Sequence, residues 1–228
     1  MEGFDFNLDL GNFSDFQINL GEQFETKRYI CPPKSAEIDE KYLTYANAEK
    51  LADDINLEDR NYCIINGSFI FGDFIEALVT KKDLHVKEMM ISTLSLSLNN
   101  IDSLKNLFDW EYLDKLDLIV SDYFYSHERS MLVQALYDRL DKNNKFQLAA
   151  AGIHTKICLI ETTCGKKIVM HGSPNLRSSS NIEQFVIENN SYLYDFNKEY
   201  HNRIIKTFST INKAVRGPQL WNEVKNKE

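Results

Sequence analysis

The sequence predicts an α/β fold: one domain with a mixed sheet flanked by helices on both faces, and no internal repeat. Three observations point there. From Tyr62 onward, short runs of branched and aromatic residues alternate with segments of helical period. Such alternation builds a sheet that is largely parallel at first and covered by helices. In the C-terminal third, the apolar runs 153–160 and 167–170 follow each other with a glycine-bearing turn between them, which adds an antiparallel hairpin. Finally, 228 residues suffice for one full core, whereas two domains would be cramped.

The elements follow from the N-terminus. Phe4, Phe6, Leu8 and Leu10 alternate with polar residues, as do Phe16, Ile18 and Leu20, and Gly11 and Gly21 punctuate the two runs. Every charge before Lys27 is acidic. Residues 1–34 are therefore expected to form an acidic arm or edge hairpin ending in the Pro32-Pro33 linker, with 35–228 as the folded domain. Ser35 can cap a helix whose positive end would carry Glu37 and Asp39, so a helix is expected through Tyr42, Ala46 and Leu51 to Ile55. A buried strand over 62–70 leads to a helix opened by Gly72 and Asp73. A strand over 86–94 precedes a helix that begins in 102–108, and a strand over 116–120 precedes a helix over 126–140. Strands are expected at 146–151, 153–160, 167–170 and 185–187, before a last helix over 197–213.

Composition excludes several classes. The chain has no apolar run long enough for a membrane-spanning helix. Its acidic start lacks the basic and apolar regions of a secretory signal, so a cytoplasmic location is expected. Cys31, Cys63, Cys158 and Cys164 show no CxxC spacing and read as reduced thiols. A net charge of −8 argues against a surface that coats nucleic acid broadly, because nonspecific affinity comes from phosphate neutralisation. A local basic cleft remains open to Lys156, Lys166, Lys167 and Arg177.

The chemistry concentrates in 154–183. In a strand, His154 and Lys156 project to one face. Gly172-Ser173-Pro174-Asn175 ends the next run, so a hairpin would return Ser173 and Asn175 to that face. An imidazole, an ammonium, a hydroxyl and a carboxamide around one point can donate to several oxygens of a phosphate. A zinc site from His154, Cys158, Cys164 and His171 has spacings that fit no usual ligand pattern. No carboxylate cluster suited to Mg²⁺ is seen, so neither a metal nor a cofactor is expected. His85, His127 and His201 lie outside any constellation and read as surface or packing residues.

These residues resemble the signature of the phospholipase D superfamily: His-x-Lys, an Asp, a spacer, then Gly-Ser-x-Asn. His154, Lys156, Gly172, Ser173 and Asn175 match it, and Asn181-Ile182-Glu183 resembles the Asn-x-Glu of its small bacterial nucleases. Two departures stand out. Glu161 replaces the Asp, and the spacer is longer than usual, which suggests a longer hairpin tip over 162–167. The resemblance implies the half-barrel sheet of a single repeat and a metal-independent phosphodiesterase, most often a nuclease. His154 would then be the nucleophile that forms a phosphohistidine. Lys156, Ser173 and Asn175 would hold phosphate oxygens, and Glu183 would accept the other ring N–H of His154. The family's second histidine, which protonates the leaving group, has no counterpart in this chain. A homodimer pairing two copies of His154 across a two-fold axis would supply it. The partners expected are thus nucleic acid and a second copy of the chain, with no membrane. The alternative, favoured by the acidic composition and Glu161, is a phospholipase D-like binding or regulatory module with little turnover.

Overall fold

The computed structural model describes residues 40–45, 48–65, 70–177 and 181–210, with the backbone alone for 40–45. The acidic arm expected over 1–34, the Ser35 cap and everything beyond Thr210 lie outside these residues.

The elements run β1 (Glu40–Tyr45), α1 (Ala48–Asp54), β2 (Arg60–Ile65), α2 (Phe71–Lys81), β3 (Val86–Thr93), α3 (Leu98–Asp109), β4 (Leu116–Ser121), α4 (Asp122–His127) and α5 (Leu132–Leu140). β5 (Phe146–Ala151), β6 (Ile157–Thr162), β7 (Lys167–Gly172), β8 (Glu183–Asn189) and α6 (Ser191–Phe208) complete the described chain. The strands form one sheet in the order β1-β2-β8-β7-β6-β3-β4-β5. Pairing is parallel at both ends, for β1 with β2 and for β3, β4 and β5. Between them β2, β8, β7, β6 and β3 are antiparallel neighbours.

Alternation along the strands divides the core between two faces. On one, Ile91, Leu118, Ile160 and Phe185 pack with Leu51, Phe74, Ile101 and Leu136 of α1, α2, α3 and α5. On the other, Met90, Leu159 and Val169 meet Tyr194 of α6, while Ile119 and Ala149 meet Ile204. Buried Tyr194, Asn197, His201 and Ile204 recur at helical spacing, so one stripe of α6 faces the sheet. Because both faces are covered, the central strands are apolar along most of their length, and all of β4 is buried.

Several sequence expectations change. Residues 40–45 form a strand in parallel register with β2, Glu40 opposite Arg60, instead of the middle of a helix. Tyr42, Leu43, Thr44 and Tyr45 favour a pleated surface, and an available sheet edge overrides the capping signal upstream. The helix expected over 126–140 is two helices. Ser121 Oγ accepts from Phe124 N at 3.0 Å and starts α4 early, and the chain breaks before α5 at Met131 (φ −124°, ψ −72°). The run expected as a strand from residue 153 pairs only from Ile157, so His154 and Lys156 lie in a connector just before β6. The hairpin tip is not long. Thr163, Cys164, Gly165 and Lys166 form it, with Gly165 in the left-handed region (φ +89°) and its N–H donating to Thr162 O at 3.0 Å.

Candidate functional site

Register places the motif at one end of the strands. Ser92 near the end of β3 faces Ile157 at the start of β6, Ile157 faces His171 near the end of β7, and Gly172 faces Phe185 near the start of β8. The connector 153–156 and the turn 173–177 therefore meet beyond the same strand ends. In open α/β sheets this is where ligands sit.

The connector is pinned on both sides. Thr155 Oγ1 donates to Ser92 Oγ at 3.0 Å, and Lys156 O accepts from Gly172 N at 3.2 Å. His154 is exposed and Lys156 half-buried. Lys156 Nζ lies 3.2 Å from His154 Nδ1 and donates to His154 O at 3.0 Å. The expected meeting of these two groups occurs, through a curled lysine and not through strand alternation. An ammonium can only donate, so Nδ1 accepts and the imidazole proton sits on Nε2.

Gly172 is fixed by a close approach. A Cβ there would lie 2.3 Å from Gln184 O and 2.6 Å from Phe185 Cα, so any side chain would push β7 and β8 apart. Beyond it, Ser173 N donates to Gln184 O at 2.9 Å, and Ser173 Oγ accepts from Gln184 N at 3.0 Å. The Ser173 hydroxyl donates to Glu183. The motif serine, not His154, thus holds Glu183, contrary to the sequence expectation.

Asn175 turns its carboxamide oxygen inward, where Oδ1 accepts from Leu94 N at 3.2 Å and from Thr93 Oγ1 at 3.5 Å. A backbone N–H must meet oxygen, so the amide NH₂ is the end able to donate to a ligand. The next residue locks the turn to two helix starts. Leu176 O accepts from Gly72 N at 3.1 Å and from Asn100 Nδ2 at 3.0 Å. Asn100 is fully buried, and its Oδ1 accepts from Ser97 N at 2.9 Å at the head of α3. Sequence reasoning missed Thr93, Gly72 and Asn100. The Ser97-x-x-Asn100 spacing was the available signal, since it matches a capping box.

The basic residues separate. Arg177 is exposed at the motif end. Lys166 and Lys167 lie at the other end of the hairpin, paired with Glu58 and Asp195 at 2.6 Å each, so they do not line a cleft with Lys156. Glu161, in the position of the motif's Asp, also lies toward that far end. Its carboxylate accepts from Lys198 at 2.9 Å and from Lys87 at 3.0 Å, and these two ammonium groups hold it down at about 2. It ties α6 to the sheet. Cys158 is buried in the core and Cys164 exposed at the hairpin tip, so they do not join His154 and His171 around one point. Among the described residues no group of three or more His, Cys, Asp or Glu could hold a metal ion, and no helix is long and apolar enough to cross a membrane.

No family model matches the chain. No curated protein matches it in sequence. Solved structures do. The chain is similar to Nuc from Salmonella typhimurium, a phospholipase D family member, at 13% identity and TM-score 0.48, over 66% of this chain and 97% of that one. It is similar to TrmBL2, an archaeal chromatin protein whose structure shows a novel mode of DNA binding, at 14% identity and TM-score 0.42, over 83% of this chain and 58% of that one. It is also similar to phosphatidylserine synthase from Haemophilus influenzae Rd KW20, at 12% identity and TM-score 0.47, over 74% of this chain and 44% of that one. The chain is similar in fold to members of the phospholipase D family. The motif residues named above stand at one end of the strands.

Proposed function

We propose that the chain is a metal-independent phosphodiesterase that hydrolyses nucleic acid through His154 in a homodimeric active site. The observation that carries this reading is the convergence of His154 and Lys156, 3.2 Å apart, with Ser173 and Asn175 beyond the same strand ends. In the reading, a phosphate arriving at this point draws the Lys156 ammonium onto a nonbridging oxygen. That releases Nδ1 to carry the imidazole proton and frees the Nε2 lone pair for attack on phosphorus. The phosphorus–oxygen bond of the ester breaks, and the leaving oxygen takes a proton from the imidazolium of the second copy's His154. Water then attacks the phosphohistidine, giving its proton back to that imidazole, and His154 leaves as the neutral ring. The Asn175 amide and Lys156 hold the oxygens on which negative charge develops. Ser173 joins them once its hydroxyl leaves Glu183, which makes Glu183 the holder of the serine in the resting site. A cytoplasmic setting, where thiols stay reduced, belongs to the same reading.

One observation favours the binding-module alternative. Lys156 is engaged with His154 and Ser173 with Glu183, an arrangement that needs rearrangement before chemistry. A mixing experiment decides between the two. Wild-type and His154→Ala chains are combined at fixed total concentration and cleavage of single- and double-stranded DNA and RNA is followed. If both histidines of a dimer are needed, an equal mixture keeps roughly a quarter of wild-type activity, because only wild-type pairs work. A linear fall would reject the shared site. Wild-type protein that binds these nucleic acids and cleaves none would support the alternative.

A further inference from the structure

Beside the motif a groove of about 800 Å³ opens between the segment after β3 and the α4–α5 region. It begins at Leu94, whose N–H holds Asn175, so it is continuous with the phosphate-holding turn. Its wall includes Leu96 and Phe124, buried to 2% and 5% exposure, while Tyr123 and Met131 are 67% and 57% exposed. Exposed apolar side chains gathered at one groove mark an interaction site more than scattered ones do.

The Tyr123 ring is held in place. It packs against His127, with centroids 4.0 Å apart and planes tilted by 31°. His127 Nδ1 lies 2.8 Å from Tyr123 O, and because a carbonyl oxygen can only accept, Nδ1 carries the hydrogen. A positioned aromatic ring with an open face is the platform on which unpaired bases stack. Charge in the groove is ordered. Arg177 follows closely on Asn175 and can meet a backbone phosphate. Glu128 also lines the groove. A carboxylate repels phosphate and accepts from the amino and imino hydrogens of a base edge. Phosphate is thereby favoured at the Arg177 end, next to Asn175, and a base in the groove.

We propose that this groove seats a nucleobase next to the scissile phosphate, and that the substrate is therefore single-stranded nucleic acid; this rests on the phosphodiesterase reading. A base within a duplex has both faces stacked and cannot occupy the groove. A membrane surface is a poorer fit, since an interfacial surface would be rich in Lys and Arg where this one carries Glu128.

The test uses the full-length chain carrying His154→Ala, so that binding is read without cleavage. Fluorescence anisotropy compares a short single-stranded oligonucleotide with a duplex of the same length. The single strand is expected to bind more tightly. Adding Tyr123→Ala should weaken that binding by roughly tenfold or more, and Tyr123→Phe should restore it. Adding Arg177→Ala should weaken binding and lower the salt slope by about one. Tyr123 is 67% exposed, so its loss leaves the core intact, which a thermal melt verifies. The proposal is overturned if Tyr123→Ala binds as the parent does, if duplex binds equally well, or if anionic phospholipid vesicles bind in place of the oligonucleotide. It is also overturned if Tyr123→Ala changes the oligomeric state, because the surface is then an interface between copies. The two readings fail separately. Cleavage that is indifferent to Tyr123 removes the groove alone, whereas Tyr123-dependent binding without wild-type cleavage removes the hydrolytic step alone.

Discussion

Acid sensitivity should be written into α6 by one residue. His201 has no exposed surface, and among the described residues neither of its ring nitrogens has a hydrogen-bond partner. Burial pushes its pKa down from 6.5 to about 4. The folded state therefore holds a neutral ring where the unfolded chain holds a cation. Between these values the unfolded state binds more protons, so stability rises with pH. The contribution is complete above pH 6.5 and is lost as pH falls from 6.5 toward 4. At pH 5 the unfolded histidine is almost fully protonated and the folded one almost fully neutral. The loss is then about one and a half pK steps, or about 2 kcal/mol. His201→Leu, apolar and of similar bulk, removes this titration. Urea unfolding of both proteins in steps from pH 7.5 to 5 should show the wild type losing about 2 kcal/mol more than the variant over that interval. Parallel curves would mean that the ring is hydrated or paired, and the argument from burial would fall.

Other perturbations test the rest of the structure. Gly172→Ala should separate β7 from β8 at the motif, destabilising the fold by about 1–3 kcal/mol and removing cleavage beyond what the stability loss explains; a thermal melt beside a cleavage assay measures both. Glu161→Gln should destabilise by about 1–2 kcal/mol at neutral pH while leaving kcat unchanged. Because the folded carboxyl sits at about 2 instead of 4.5, that stability is present above pH 4.5 and vanishes as pH falls toward 2, so denaturation curves of variant and wild type should converge in acid. A fall in kcat would show that Glu161 acts on the chemistry. Cleavage should persist in excess EDTA; loss on chelation, with rescue by a divalent ion, would replace the two-histidine mechanism by a metal one.

Much of this was legible because it depends on local period. β3, β4 and β5, the body of α2, and the pairing of β6 with β7 follow from apolar spacing and a glycine turn. What was not legible depends on partners remote in sequence. Ser35, Glu37 and Asp39 give a helix-start signal ahead of β1, yet Glu40–Tyr45 is a strand paired with the edge of β2. β8 lies between β2 and β7, and nothing local in 183–189 names those neighbours. At the site, residue types and spacing brought His154 near Lys156. They could not tell whether Glu183 would turn to the histidine or to Ser173, since that choice depends on how β8 lies against Gly172. Thr93, Gly72 and Asn100 act through backbone groups of the motif turn, and such bonds leave little trace in composition.

The position of β8 has a consequence for biosynthesis. Among the described strands it is the last to leave the ribosome, yet it pairs with both β2 and β7 and joins β1 and β2 to the remainder. Until it arrives, Gly172 and Ser173 lack the strand that shapes their turn, and Glu183 is missing from the site. A ribosome-bound chain halted before β8 holds His154 and Lys156 but lacks the strand that completes their surroundings. On the proposed reading, cleavage would therefore begin only once β8 has joined the sheet.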